Sequence, residues 1–332
     1  MLAICPFKIP NCRSFANKKF LIDHVERMLQ QESIGAKQNI TVLARLRDYN
    51  QLLKPNLSGM VVFSSVIGYL MAPGINFSWG DFGLWQRIIT LFAGGMMVTG
   101  GANTINQILE RDSDRLMKRT RTRPLPDGRM GDTEAWIFAI STGVIGALLL
   151  GFYFTPQAGI LSFISLLLYA FAYTPMKKVH PIAVFIGAIP GALPPLIGWV
   201  AATGSIDAGG FLLFTLQFFW QFPHFWAIAW VAFDDYNNAG IRMLPTRERE
   251  TRFTAIQCML YSLVLIPMAM VPPMLGLTGM GGMWVSVACG VLYFAASVAF
   301  YVKNDYKSAR RVMFASFIYL PTVLLAIIID KA

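Results

Sequence analysis

Residues 84–108 read LWQRIITLFAGGMMVTGGANTINQI, and this stretch determines the class of fold. It carries a single charge, at Arg87, and it is long enough to cross a bilayer, which needs about 20 apolar residues in a helix. Eight further blocks of similar character occupy residues 57–73, 134–154, 158–173, 182–202, 209–232, 253–275, 283–302 and 312–329. The sequence therefore predicts an all-α polytopic membrane protein with nine transmembrane helices.

The composition of the whole chain agrees with this class. Of the 332 residues, 55% are hydrophobic and only 14% are charged, whereas a soluble domain carries about 25% charged residues. A membrane β-barrel would show short alternating segments instead of long apolar blocks. The net charge of +10 lies in short segments between the blocks. We therefore expect a lipid bilayer and an anionic surface ligand as partners, and no nucleic acid.

The distribution of basic residues predicts the orientation. If alternate connections face the cytoplasm, 26 of the 28 Lys and Arg residues lie on that side, and the exceptions are Arg87 and Lys331. The N-terminus is then cytoplasmic. The predicted location is the inner (plasma) membrane of a cell. The alternative is the mitochondrial inner membrane, because the first 22 residues are basic and lack acids.

Two regions follow from the same pattern. Residues 1–56 are predicted to form a cytoplasmic N-terminal extension, and residues 57–332 the membrane domain. Apolar residues recur at helical spacing from Ile40 to Leu53 beside Arg45 and Arg47, which is typical of a helix lying at the membrane interface.

The first candidate site lies at the end of the second block. Asn106, Glu110 and Asp114 are spaced i, i+4, i+8 and would form one stripe on a helix, with Asn103 in the same sector and Asp112 pointing away. Stacked carboxylates beside a bilayer repel each other unless a cation joins them. Oxygen ligands without Cys or His suit Mg²⁺, which commonly completes its shell with substrate phosphates.

A basic loop follows this stripe and reads RDSDRLMKRTRTRP over residues 111–124. Guanidinium groups can hold phosphate oxygens in bidentate contacts, so a diphosphate is the predicted ligand. Tyr173, Lys177 and Lys178, at the same predicted side of the fourth block, add a phenol and two cations. The alternative is that these charges only set the topology and pair with neighbouring acids.

A second polar stripe lies in the sixth block, QFFWQFPHFW over residues 217–226. Gln217, Gln221, His224 and Asp235 would share one helical face, with Asp234 adjacent, and polar groups inside a membrane helix are expected to face a cavity. Three roles remain open for His224: ligand of a haem-like metal, base, or hydrogen-bond partner of a neighbour.

Two further expectations concern the arrangement of the blocks. The acidic ends of the second and sixth blocks are four spans apart, which indicates a weak internal repeat that would bring the two ends together. The fifth block contains Pro190, Pro194 and Pro195. We expect it to be a broken helix that borders the pocket.

At four segments the sequence resembles the UbiA-like superfamily of intramembrane prenyltransferases, in its haem-modifying branch. They are NQILERDSDRLMKRTRTRPLP (106–126), YTPMKK (173–178), GAIPGALPPLIGW (187–199) and FFWQFPHFWAIAWVAFDDYNNAGIRML (218–244). The resemblance implies a nine-helix fold in which farnesyl diphosphate donates its chain to a vinyl group of haem b with Mg²⁺ as cofactor. The product, haem o, would serve cytochrome oxidase, and a downstream haem-modifying enzyme is an implied partner.

The resemblance also implies roles for single residues. Carried over by position, Asn106, Glu110 and Asp114 would hold Mg²⁺ and diphosphate. Arg119 and Arg123 would hold phosphate oxygens, and Lys177 would assist them. Glu110 at the middle acidic position is typical of the haem branch.

The second acidic motif departs from the superfamily pattern, because Asp234 and Asp235 are adjacent and not spaced. Either could face the metal, and Gln221 and His224 could take over part of the function of this motif.

Two other functions stay open at this point. A related enzyme would use an aromatic acceptor such as 4-hydroxybenzoate. A secondary transporter also combines broken helices, buried polar groups and repeated halves, although its site usually lies near the midplane and not at an acidic helix end beside an Arg-rich loop.

Overall fold

The computed structural model of the protein describes residues 42–246 and 251–331, and their long regular elements are all helices. The predicted basic stretch of the N-terminal extension lies outside the described residues. Residues Asp48–Ala332 form one compact unit. The long helices are α1 (Val42–Leu53), α2 (Pro55–Met71), α3 (Phe82–Leu109), α4 (Asp132–Tyr153), α5 (Pro156–Leu167), α6 (Ala183–Thr203), α7 (Ala208–Val231), α8 (Phe253–Met268), α9 (Met280–Lys303) and α10 (Tyr306–Ile329).

Each of the nine predicted blocks coincides with one helix from α2 to α10. Within the described residues, seven helical segments are long and apolar enough to cross a membrane, which makes the chain an integral membrane protein. The other two are α2, which has only 17 residues, and α7, whose apolar run is interrupted by the glutamines and the histidine. Nine spans and a cytoplasmic N-terminus therefore stay predictions.

The buried apolar side chains form two large groups with α2 and α6 between them. One group is built on α7 to α10 and the other on α3 to α5, and both include residues of α2 and α6. Helices α2 and α6 approach each other closely. A Cβ on Gly68 would lie 2.0 Å from Pro195 O, and one on Gly198 would lie 1.7 Å from Ser65 O. Such small residues let membrane helices pack backbone to backbone, which fixes this pair at the centre of the fold.

The expectation of a broken fifth span is wrong. Helix α6 runs without interruption through its three prolines. Pro194 cannot donate to the carbonyl of Pro190, but Ser165 Oγ on α5 donates to that oxygen at 3.1 Å. A neighbouring side chain thus replaces the missing backbone bond, and the helix continues.

Two glutamines of α7 donate to the backbone of α6, and one of them replaces a donor that proline removes. Pro195 leaves the carbonyl of Gly191 without its helical donor, and Gln217 Nε2 donates to it at 2.7 Å. Gln221 Nε2 donates to Ala188 O at 3.1 Å. The amide nitrogens of both glutamines therefore donate to the backbone of α6.

Helix α5 changes its winding before it ends. A π-helical turn over Leu168–Tyr173 joins it to the short helix Thr174–Val179. Turns of this kind are rare and are frequently found at functional sites. Here Tyr169 and Tyr173, at the two ends of one wider turn, line the same cavity.

Candidate active site

The acidic stripe at the end of α3 is divided between two helices. Helix α3 ends at Leu109, Glu110 has non-helical backbone angles, and Asp114 lies on the short helix Arg111–Leu116. The prediction of one continuous helical stripe is therefore wrong. The three side chains are nevertheless buried, with exposed fractions of 2% for Asn106, 3% for Glu110 and 1% for Asp114.

Each carboxylate has a cationic partner. Glu110 forms an ion pair with Lys177, and Asp114 Oδ2 lies 2.7 Å from Arg123 Nη1. Asp114 Oδ1 is buried and has no hydrogen-bond partner among the described residues. A buried carboxylate oxygen without a donor is costly, so this atom is available to a ligand that carries positive charge.

Lys54 belongs to the same site and was missed by sequence analysis. It lies between α1 and α2 in a left-handed conformation, and its Nζ donates to Asn106 Oδ1 at 3.3 Å. Burial, followed by the positive charge of Arg123, lowers the pKa of the Lys54 ammonium from 10.5 to about 7. In the sequence Lys54 is one of the 26 basic residues assigned to the cytoplasmic side. Its position directly before Pro55, three residues ahead of the first block, is the available signal.

Amide side chains hold α3 in place beside these charges. Asn106 Nδ2 donates to Thr174 Oγ1 at 3.1 Å, so its oxygen faces Lys54. Asn103 Nδ2 donates to Ser58 Oγ at 3.0 Å. The end of α3 is thereby tied both to α2 and to the segment that carries Lys177. We call the group formed by Lys54, Asn106, Glu110, Asp114, Arg123 and Lys177 the polar cluster.

Three other predicted residues lie at or beyond the edge of this cluster. Arg119 is exposed. Lys178 is exposed as well, and its Nζ donates to Leu109 O at 3.4 Å. Asp112 pairs with two neighbouring arginines on the surface, as its predicted outward direction requires.

The second acidic segment is placed differently. Helix α7 ends at Val231, and Asp234 and Asp235 lie on the separate short helix Phe233–Asn238, so Asp235 does not continue the face of Gln217 and His224. Asp234 is exposed and Asp235 half-buried. In the described part of the chain no three His, Cys, Asp or Glu side chains form a metal-binding group.

The loop after these aspartates still reaches the polar cluster. The backbone N–H of Arg242 donates to Lys177 O at 2.6 Å. The loop after the helix Phe233–Asn238 is thereby joined to the helix Thr174–Val179, whose Lys177 pairs with Glu110.

A cavity of about 450 Å³ runs between the two halves of the core. Its walls are mainly apolar, and Asn103 and Tyr173 line it beside the polar cluster. Gln217, Gln221 and His224 also line it, as expected for a polar stripe inside a membrane helix. Pockets of this size and polarity are typical of small-molecule sites.

Comparison with known proteins agrees with this arrangement of a charged helix end and an apolar cavity. The protoheme IX farnesyltransferase of Cytophaga hutchinsonii is 43% identical over 288 residues, which cover 87% of this chain and 99% of that protein. The protein of the same name from Flavobacterium johnsoniae is 40% identical and covers 90% of this chain and 98% of its own.

Solved structures with low sequence identity share the fold. A digeranylgeranylglyceryl phosphate synthase matches with a TM-score of 0.70 at 20% identity, covering 86% of this chain and 98% of that one. A UbiA homologue from Archaeoglobus fulgidus, bound to GPP and Mg²⁺, matches with a TM-score of 0.53 at 17% identity over 84% of this chain and 99% of its own. The sequence profile of the UbiA prenyltransferase family matches residues 61–320. The chain, an enzyme of the prenyltransferase class, belongs to the UbiA prenyltransferase family.

Proposed function

We propose that this chain transfers the farnesyl group of farnesyl diphosphate to a vinyl group of haem b and thereby makes haem o. Relatives that are 35–43% identical and match most of the chain carry the name protoheme IX farnesyltransferase. The observation that carries the proposal is the polar cluster at one end of an apolar cavity. A diphosphate fits the charges, and an isoprenoid chain fits the walls.

The cations of the polar cluster stabilise the leaving group. As the allylic C–O bond breaks, negative charge grows on the diphosphate, and Lys54, Lys177 and Arg123 stabilise that charge more in the transition state than in the ground state. The three cations come from different segments and are held by Asn106, Glu110 and Asp114 before substrate binds. They need little rearrangement during the reaction.

The oxygen donors of the same cluster fit Mg²⁺. This ion binds proteins through one or two carboxylates and takes its remaining ligands from phosphates and water. Glu110 and the unpartnered Asp114 Oδ1 meet that requirement, with Asn106 beside them and Asp234 or Asp235 as a further ligand. When bound, the ion would add positive charge next to the diphosphate.

The cavity protects the reactive carbon chain. Its apolar walls exclude bulk water while the vinyl carbon forms a bond to C1 of the farnesyl chain and diphosphate leaves. One water then adds to the second vinyl carbon and releases a proton, which gives the hydroxyethyl group of the product. Tyr169 and Tyr173, between the polar cluster and the cavity, are placed to stabilise positive charge on the chain by contact with their rings.

The proposed location is the inner (plasma) membrane with the polar cluster on the cytoplasmic side. The charge distribution of the loops supports this orientation. A downstream haem-modifying enzyme would receive the product.

The test is to incubate purified protein with haem b, farnesyl diphosphate and Mg²⁺, and to analyse the porphyrins by mass spectrometry. We expect a mass gain of one farnesyl group plus one hydroxyl group, and no gain when Mg²⁺ is chelated. Parallel reactions contain 4-hydroxybenzoate in place of haem b. Prenylation of the hydroxybenzoate with unchanged haem b would overturn the proposal in favour of an aromatic acceptor.

A further inference from the structure

The hydrogen bonds of Ser316 on α10 fix the proton of a histidine in the cavity. Ser316 Oγ lies 2.5 Å from the carbonyl oxygen of Met313, and a carbonyl oxygen can only accept. The single hydroxyl proton must therefore lie between these two oxygens. His224 Nδ1 lies 2.7 Å from the same Ser316 Oγ, so it is the ring nitrogen that carries a proton and donates.

A neutral imidazole with its proton on Nδ1 has a lone pair on Nε2. Within residues 42–246 and 251–331, His224 Nε2 has no hydrogen-bond partner, and the ring lines the cavity. The lone pair of Nε2 is thus free to bind a metal as far as this part of the chain is concerned.

The orientation of this ring is fixed by its neighbours. Trp220 stacks on it with ring centroids 4.7 Å apart, and Phe317 meets it edge to face at 5.1 Å. Trp220 Nε1 donates to the backbone carbonyl of Ser316 at 2.9 Å. Ser316 therefore holds both the imidazole and the indole that stacks on it.

Other nitrogen groups of the cavity wall are already committed. The amide nitrogens of Gln217 and Gln221 donate to backbone carbonyls of α6, as described above. An amide nitrogen that carries its hydrogens is also a poor metal ligand, whereas the unprotonated imidazole nitrogen is among the commonest metal ligands in proteins.

We propose that His224 Nε2 is an axial ligand of the iron in the porphyrin acceptor and that Ser316 is the positioning residue that keeps Nε2 unprotonated. The inference rests on the proposed function, because that function supplies the metalloporphyrin. A hydrogen bond from the second ring nitrogen of a metal-ligating histidine is the usual way in which proteins fix the tautomer. Iron ligation at α7 would hold the macrocycle in the cavity so that a vinyl edge can face the polar cluster.

This arrangement has a consequence for selectivity. Recognition through iron distinguishes haem b from the same porphyrin without metal, although both have the same ring, vinyl and propionate groups. Packing against the aromatic walls alone would bind the two equally.

The test titrates purified protein in detergent with haem b and, separately, with iron-free protoporphyrin IX, without farnesyl diphosphate. We expect the absorption spectrum of a nitrogen-ligated haem in the unaltered protein. In His224→Ala we expect the affinity for haem b to fall by about tenfold or more and to be restored in part by added imidazole. The affinity for protoporphyrin IX should stay within about twofold of that of the unaltered protein. Ser316→Ala should weaken haem b binding in the same direction, and Ser316→Thr, which keeps the hydroxyl, should not.

His180→Ala is the matched control, because His180 is an exposed histidine outside the cavity wall. Equal haem b affinity and an identical spectrum in His224→Ala and the unaltered protein would overturn the inference, as would a parallel loss of protoporphyrin IX binding, which indicates packing. If haem b is still farnesylated in either case, the proposed function stands. Failure of the unaltered protein both to bind and to convert haem b would overturn the proposed function itself.

Discussion

The two acidic segments of this chain occupy corresponding places in the sequence and lie in different surroundings. Glu110 and Asp114 have exposed fractions of 3% and 1%, and each pairs with a cation. Asp234 is exposed and Asp235 half-buried on a short helix. The two carboxylates of the buried pair are held by cations that come from elsewhere in the fold.

This difference indicates how a charged site can persist beside lipid. A buried carboxylate requires a partner, and two segments supply Arg123 and Lys177 to the first pair. In the proposed function, the first pair is therefore arranged before substrate binds. The second pair has more access to solvent, and in the same proposal it adjusts when substrate and metal bind.

The largest effect is expected for Asp114→Asn. It removes the charge that pairs with Arg123 and the free oxygen that fits Mg²⁺, so we expect kcat for haem farnesylation to fall by about 10² or more. Glu110→Ala and Asp114→Ala should show losses of the same order. Asp112→Asn, two residues from Asp114 and exposed, is the control and should stay within about twofold. Near-normal turnover of Asp114→Asn in folded protein at saturating Mg²⁺ would contradict the comparison.

The next effect concerns Lys54, the cation of the polar cluster that contacts Asn106. Lys54→Met removes a charged donor to Asn106 and to the bound diphosphate, and we expect kcat/KM for farnesyl diphosphate to fall by about 10-fold to 100-fold. Lys54→Arg should recover part of this loss, because the charge is kept. Lys303→Met, at an exposed lysine that ends α9, tests the effect of removing a positive charge elsewhere. Equal losses of kcat/KM in the Lys54 and Lys303 variants would show that Lys54 acts only through the net positive charge of the protein.

A smaller effect is expected in the second acidic segment. Asp235→Asn should raise the Mg²⁺ concentration needed for half-maximal activity by about tenfold or less, and Asp234→Asn should raise it less, because Asp234 is more exposed. Magnesium titrations of both variants measure this. A loss in kcat for Asp234→Asn as large as that of Asp114→Asn would show that the two segments contribute equally.

The smallest effect is expected for an acid with a purely structural position. Asp305 caps α10, and hydrogen bonds from the backbone and side chain of Ser308 lower the pKa of its carboxyl from 3.8. The unfolded chain then binds more protons than the folded one, so this stabilisation is complete above about pH 4 and is lost as the pH falls through the lowered pKa. Asp305→Asn, which keeps the cap, should show a smaller fall in thermal midpoint below pH 4 and unchanged turnover near neutral pH. Reduced turnover at neutral pH would contradict a purely structural role for Asp305.

Much of the helical architecture followed from the sequence, because long apolar blocks have few alternatives in a bilayer. All nine blocks are helices. The acids of the first segment could also be chosen, since carboxylates at a helix end beside an Arg-rich loop have a chemical reason to be together. What the sequence did not show was Lys54, which is one basic residue among many until folding places it 3.3 Å from Asn106.

The prolines of α6 show a second limit of sequence reasoning. Proline removes a backbone donor, and the local rule predicts a broken helix. The outcome depends on Ser165 and Gln217, which lie 25 or more residues away and donate to the freed carbonyls. Gln217 lines the cavity as predicted, but its hydrogen bond to the backbone of α6 could not be read from its own helix.

The π-helical turn over Leu168–Tyr173 has a consequence for the tolerance of this segment to deletions. A π-helical turn, with its i→i+5 hydrogen bonds, holds about one residue more than an α-helical turn. Loss of one residue there would let the turn rewind as an α-helix and leave the direction of Lys177 nearly unchanged. Loss of one residue from α5 itself would rotate Lys177 by about 100° and break its ion pair with Glu110. Single-residue deletions in α5 should therefore be far more damaging than a deletion in the wider turn that follows it.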